Sequence, residues 1–314
     1  MALYIDEDRV RQLLNLQDLL AAVREALQDL SAGRVCQPLR LTMGFDAAGP
    51  VQPGGQEGGG LLFVKPSQVG DALATKLITL VPDNPARGLP SMMATIVLTS
   101  PVTGQTLAIL EANWITAMRT AAASAVAADV FTPNRSLSVA MLGSGVLARS
   151  HARFMRAIRP IHDVRVWSRD PQNAQACAEE VGGRACASAE AAVRDADVVC
   201  TVSNASEPIL QGAWLKPGAF VAAVGAPRPT WRELDDAAMQ HWIVADQREA
   251  AEKESGDVIH ARAKVSAELG DILLGRQAAP APGTTVIFKS LGQAVEDAVA
   301  ARLVYQAALA APDR

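Results

Sequence analysis

The stretch SVAMLGSGVLARSHARFMRAI, residues 138 to 158, decides the fold. A short apolar run, Ser138 to Leu142, breaks at Gly143-Ser-Gly145-Val-Leu-Ala148 and reopens with Val146, Phe154 and Ile158 at helical spacing. Strand, GxGxxA, helix is the order of a dinucleotide-binding turn. Gly143 permits the tight turn, Gly145 lets a pyrophosphate approach the backbone, and Ala148 packs helix on strand. Ser144, Val146 and Leu147 fill the positions between, where the first amides of the helix face an anion.

The next strand ends VRVWSRDP, residues 164–171. An NAD site usually carries an acidic residue here to hold the ribose 2′-hydroxyl. This chain instead has Trp167, Ser168 and Arg169, and a hydroxyl beside a guanidinium suits a 2′-phosphate. The expected cofactor is therefore NADP(H), with NAD(H) the alternative; Arg169 as a solvated surface charge is the other reading. Asp170 is placed to cap the helix that opens at Pro171.

Working outward, strand and helix alternate: strand 137–142, helix 146–158, strand 163–167, helix 171–181. Strands follow at 197–202, 219–224, 242–245 and 284–288, with helices between. Near-continuously apolar strands in that alternation predict an α/β fold with a Rossmann-type, doubly wound parallel sheet over residues 119–292. Upstream, Asp8 to Leu30 reads as one helix closed by Gly33. Strands at Leu61–Val64, Ala74–Val81, Ala94–Leu98 and Leu107–Leu110 predict an antiparallel sheet, the last two joined by the turn TSPVTGQ. Residues 48–60, AGPVQPGGQEGGG, read as a mobile loop or hairpin tip. Trp114 to Val130 is an Ala-rich helix. A final helix, Gln293 to Ala311, is expected to pack back on the first domain. The smaller α+β domain is thus 1–118 with 293–314.

A chain of 314 residues is long enough for two cores. A net charge of −4 gives no reason to expect nucleic acid or an anionic membrane. No apolar run approaches the roughly 18 residues of a spanning helix, and the acidic N-terminus is unlike a signal peptide; a cytoplasmic protein is expected. Cys36, Cys177, Cys186 and Cys200 form no CxxC and no metal-type pairing with the histidines, so they read as small buried hydrophobes and no metal is expected.

Several segments together resemble the ornithine cyclodeaminase/mu-crystallin family: ATKLITL, GLPSMMATIVLTSPVTGQTLAILEANWITAMRTAAASAVAA, LGSGVLARSH, VGAPRPTWRELDD, ESGDV and FKSLGQAVEDAVAARLVY. The resemblance runs nearly end to end. It implies a homodimer whose first domain makes the dimer contact and carries substrate groups, a second domain for the nicotinamide cofactor, and an active site in the cleft between them. It also places substrate-binding residues at Arg40, Lys76 and Arg119, and cofactor-side residues at Thr120, Ser290 and Leu291. Val224 and Gly225, ending a strand of the parallel sheet, are expected near the cofactor. Leu147 stands where the family turn often has Gln.

The residues themselves lead to the same cations. Lys76 sits mid-strand beside Leu77 and Ile78, and Arg119 lies on an Ala-rich helix. Such charges are costly to bury without an anionic partner, either a substrate carboxylate or an internal acid. Lys76 is in addition the candidate to supply or relay a proton. Ser203 follows the fourth apolar strand, where a loop crosses the cofactor or simply turns. None of the four histidines is assigned to catalysis. REAAEKESGD, residues 248–257, reads as a solvated helix face.

Three functions follow. The first is NADPH-dependent reduction of cyclic ketimines, Δ1-pyrroline-2-carboxylate or Δ1-piperideine-2-carboxylate, to cyclic amino acids. The second is NAD-dependent ornithine cyclodeamination, and the third is non-enzymatic binding of a small ligand. Family cyclodeaminases carry an Asp after Gly-Ala in GADxPGKxELD, where this chain has Pro227. Arg228, Pro229 and Trp231 through Asp236 instead follow the mu-crystallin-type GASRPDWRELDD. That difference favours ketimine reduction.

Overall fold

The computed structural model describes residues 2–46 and 59–311; the glycine-rich tip expected at 48–60 lies almost wholly outside them. The chain divides into two compact units. Residues 1–22, 33–119 and 294–314 form the first; residues 23–32 and 120–293 form the second.

The first unit opens with β1 (Leu3–Ile5) and α1 (Glu7–Leu13), and α2 follows at Leu16–Ser31. The single helix expected over 8–30 is therefore two. Leu14 is extended at φ −78°, ψ 101°, and the Asn15 carboxamide restarts the helix by accepting from the amides of Gln17 and Asp18. Then come β2 (Val35–Cys36), β3 (Leu41–Phe45), β4 (Gly60–Val69), β5 (Ala72–Leu80), β6 (Met92–Thr99) and β7 (Thr106–Glu111). β3 to β7 pair antiparallel as neighbours, whereas β1 joins β7 in parallel, so the sheet is mixed rather than antiparallel throughout.

α3 (Asn113–Phe131) carries the chain into the second unit. There follow β8 (Leu137–Leu142), α4 (Val146–Ile158), β9 (Ile161–Trp167), α5 (Pro171–Glu180), β10 (Arg184–Ala185), α6 (Ala189–Val193), β11 (Val198–Thr201) and β12 (Phe220–Ala223). Next are β13 (Trp242–Ala245), α7 (Arg248–Glu254), α8 (Gly256–Ala261), β14 (Ala267–Glu268), α9 (Leu269–Leu273) and β15 (Val286–Lys289). The strands form a parallel sheet in the order β10-β9-β8-β11-β12-β15-β13-β14, with the chain reversing direction across the sheet beside β8. Strands β8, β11, β12 and β15 are buried along their whole length, which is why they read as continuous apolar runs. Two connections expected to be helical are not. β11 to β12 and β12 to β13 hold only single 3-10 turns, since Pro208, Pro217, Pro227 and Pro229 interrupt those segments.

α10 (Ala294–Ala310) belongs to the first unit and packs on β4, β5 and β6. Its first turn brings Glu296 and Asp297, both buried, onto the inner face of that sheet.

Candidate functional site

In the second unit the glycine turn is built as an anion cradle. Gly143 takes φ +130°, and a Cβ on it would stand 2.6 Å from the Val202 carbonyl oxygen, so glycine is required. A Cβ on Gly145 would meet no protein atom within 4 Å; it would enter the open cleft that Gly143, Ser144 and Gly145 line. The amides of Gly145, Val146 and Leu147 donate to no acceptor among the described residues. Arg149 braces the turn, donating from Nη1 to the Ser144 carbonyl at 2.6 Å while Glu180 holds its other nitrogens. Ala148 is fully buried at the start of α4.

Trp167, Ser168 and Arg169 line the same cleft, as do Ser203, Asn204 and Ala205. Arg169 is exposed and makes no hydrogen bond or ion pair among the described residues. Asp170 does cap α5, accepting from the amides of Gln172 and Asn173. Free amides at a helix N-terminus, a cradle that a Cβ would fill and an unpaired guanidinium suit the diphosphate and 2′-phosphate of a dinucleotide.

The other expected cofactor residues are not among that lining. A Cβ on Gly225 would collide with the Glu233 carboxylate at 2.2 Å, so this glycine makes room for a buried acid. Val224 precedes it, buried, with its amide on the Thr201 carbonyl. Ser290 and Leu291 are buried and gathered by Asp246, whose Oδ2 accepts from the amides of Leu291 and Gly292 at 2.6 and 2.9 Å. Thr120 is buried on α3. His151 is buried too, facing the Leu147 carbonyl and the Ser124 hydroxyl, and burial pushes it down to about 4, unfit as a base near neutrality. REAAEKESGD is exposed at Glu249, Glu252 and Lys253, whereas Ser255 and Asp257 at its end are fully buried, Asp257 pairing with Lys289 at 2.8 Å. Cys177 and Cys200 are buried as expected, but Cys36 is exposed on a short edge strand. Among the described residues no group of His, Cys, Asp and Glu could hold a metal ion.

The first unit contains a buried ionic cluster. Lys76 on β5 donates to Asp297 Oδ1 at 2.5 Å and to the Thr116 hydroxyl at 3.4 Å. Arg119 donates from Nε to the same Asp297 oxygen at 2.8 Å and from Nη1 to Glu296 at 2.9 Å. Both predicted cations thus have internal carboxylate partners. The sequence reading missed Lys65. It lies directly across from Lys76 in the β4–β5 register, is buried, and reaches Asp297 Oδ2 at 3.4 Å. Burial, then Arg119, pushes the Lys76 amine well below its usual range against the pull of Asp297. Burial would raise Asp297, but Arg119, Lys76 and Lys65 together hold it low. Arg40 is half-buried, its guanidinium 5.6 Å from the Phe63 ring, and is felt electrostatically by Lys65. Among these charged groups, cations outnumber carboxylates, an arrangement that suits an anionic ligand.

The family model for ornithine cyclodeaminase/mu-crystallin proteins matches residues 3–311. The chain belongs to that family. It is 44% identical over 308 residues to the ketimine reductase mu-crystallin of Macropus fuliginosus, covering 95% of each. The solved Δ(1)-pyrroline-2-carboxylate reductase of Thermococcus litoralis, in complex with NADH and L-proline, superposes with a TM-score of 0.90 at 31% identity over 98% of both chains. An archaeal alanine dehydrogenase dimer with bound NAD gives 0.88 at 27% identity, covering 98% of this chain and 96% of that one. Ala226, at φ +53°, precedes Pro227, and Arg228 stacks over Trp231 at 4.5 Å.

Proposed function

We propose that this chain reduces cyclic ketimine carboxylates, of the Δ1-pyrroline-2-carboxylate and Δ1-piperideine-2-carboxylate type, to cyclic amino acids with NADPH. The observation that carries the redox part is the cleft of the second unit, with its open Gly145 position and free helix amides. When bound, the reduced nicotinamide supplies a hydride. The preference for NADPH rests on Ser168 and the unpaired Arg169, since the two solved relatives hold NADH and NAD.

Arg40, Lys76 and Arg119 are proposed to receive the substrate carboxylate, with Lys65 adding to the positive field. A lysine whose ammonium is destabilised by burial and by Arg119 gives up a proton readily, so Lys76 is also proposed to protonate the imine nitrogen. Ornithine cyclisation must in addition deprotonate an ammonium and expel ammonia. Pro227, which has neither a titratable group nor an amide hydrogen, offers no help at the position the cyclodeaminases use.

The chain is further proposed to work as a homodimer. The sheet face of the first unit opposite α10 exposes Leu41 and Met43 on β3, Leu77 on β5, Met93 on β6 and Ile109 on β7, apolar side chains suited to a second copy. The archaeal relative solved as a dimer supports this. Incubation with Δ1-pyrroline-2-carboxylate and NADPH tests the reading by product: proline accumulating in step with cofactor oxidation supports it, and an unchanged imine contradicts it.

A further inference from the structure

Glu233 is fully buried, and apart from Ser203 its carboxylate has only the Thr201 hydroxyl as a neighbouring side-chain donor among the described residues. A buried carboxylate with so few donors is costly and calls for a reason. One of its oxygens, Oε1, accepts from the Ser203 amide at 2.7 Å and from the Ser203 hydroxyl at 2.6 Å. Ser203 Oγ in turn accepts from the Ala205 amide at 3.1 Å. These bonds close the turn Ser203-Asn204-Ala205, all three of which line the cofactor cleft. Asn204, at its tip, is exposed and makes no hydrogen bond among the described residues.

The surroundings are arranged to keep Glu233 in place. Asp257 Oδ1 accepts from the amides of Glu233 and Leu234 at 2.8 and 3.0 Å. Its Oδ2 binds Lys289 at 2.8 Å, and Lys289 also donates to the Gly225 carbonyl. Gly225 lacks the side chain that would strike the Glu233 carboxylate. A buried chain Lys289–Asp257–Glu233 therefore ends on one turn of the cleft.

We propose that Glu233 is a positioning residue for the nicotinamide cofactor, acting through Ser203 to hold Asn204 where its carboxamide meets the bound dinucleotide. The proposal rests on the reading of this cleft as the cofactor site.

Wild-type protein, Glu233→Gln, Ser203→Ala, Ser203→Thr, Asn204→Ala and the Glu233→Gln/Ser203→Ala double variant are titrated with NADPH, following Trp fluorescence, and assayed for KM and kcat. Each single variant except Ser203→Thr is expected to weaken NADPH binding about tenfold, the loss of one charge-assisted contact. The double variant should be no weaker than either of its parents, because the two residues act in series. Ser203→Thr, which keeps the hydroxyl, should restore binding towards the wild-type value, and in the other variants the loss should fall more on the KM for NADPH than on kcat. Additive losses in the double variant, or wild-type affinity in Ser203→Ala or Asn204→Ala, overturn the proposal. If Glu233→Gln does not fold, the Ser203 and Asn204 variants still decide it. A wild-type protein that binds no NADPH or NADH overturns the cofactor site itself, which is a separate outcome.

Discussion

Among the described residues, Asp297 touches the three buried cations of the first unit, at 2.5 Å from Lys76, 2.8 Å from Arg119 and 3.4 Å from Lys65. Asp297→Asn keeps the shape and removes the charge. Breaking a buried ion pair from one side costs about 3–5 kcal/mol. Two features keep the loss near the lower end. Arg119 retains Glu296 at 2.9 Å, and Lys76, already destabilised as an ammonium, can shed its proton instead of staying charged and unpaired. A loss of about 3 kcal/mol in a domain of this size lowers the melting midpoint by roughly 10 °C.

The pH dependence has a definite sign. Without Asp297, Lys76 titrates further below its unfolded value of 10.5. Across that widened window the unfolded chain binds a proton that the folded chain does not, so stability rises with pH. Melting curves between about pH 7 and about pH 9 should therefore show the variant gaining on the wild type. A variant that melts within about 1 °C of wild type at neutral pH, or that falls further behind as pH rises, refutes the cluster as described.

Removing Lys76 or Arg119 as alanine should raise the KM for imine by the about 1.5–3 kcal/mol of a charge-assisted contact, leaving the Kd for NADPH nearly unchanged; two variants with full reductase activity place the carboxylate elsewhere. Arg169→Asp with Ser168 kept should shift preference from NADPH toward NADH by about tenfold or more, and steady-state kinetics with both cofactors check it. A wild-type enzyme that already prefers NADH defeats that reading. His151, buried and titrating at about 4 where the unfolded group titrates at 6.5, contributes stability that is complete above 6.5 and lost as pH falls through about 4. His151→Gln should therefore flatten the acid side of the stability curve by up to about 3 kcal/mol. Parallel acid slopes in wild type and variant would show that the histidine is not held neutral.

The glycine turn was legible because every part of its signal is local. Gly143, Gly145 and Ala148 lie within one strand-to-helix connection, and Trp167, Ser168 and Arg169 end the strand paired beside it. The ionic cluster was half legible. A lysine amid apolar neighbours announced Lys76, but its partner Asp297 lies 221 residues away in sequence, and no local pattern names it. Lys65 carried a similar signal, between Val64 and Pro66, yet the proline and the glycine-rich approach made the strand look finished at Val64, whereas β4 runs on to Val69. Asp257 ends REAAEKESGD and so read as solvent-facing, and no local pattern singles out Glu233. Only the fold, by bringing Lys289 and Gly225 against them, shows why these two are buried. Asn15 could have been read as a cap, but the unbroken apolar spacing from Val10 to Leu27 concealed the break it makes.

The central claim is that the chain delivers hydride to a cyclic imine and does not cyclise ornithine. Its most direct test is a side-by-side measurement of initial rates on the purified protein: NADPH and NADH oxidation with five- and six-membered cyclic imino acids, and ammonia release from L-ornithine with NAD(+). The account predicts rapid oxidation of NADPH with a cyclic imino acid, slower oxidation of NADH, and no ammonia from ornithine. Efficient, NAD(+)-stimulated conversion of L-ornithine to proline, with neither imine reduced, would contradict it.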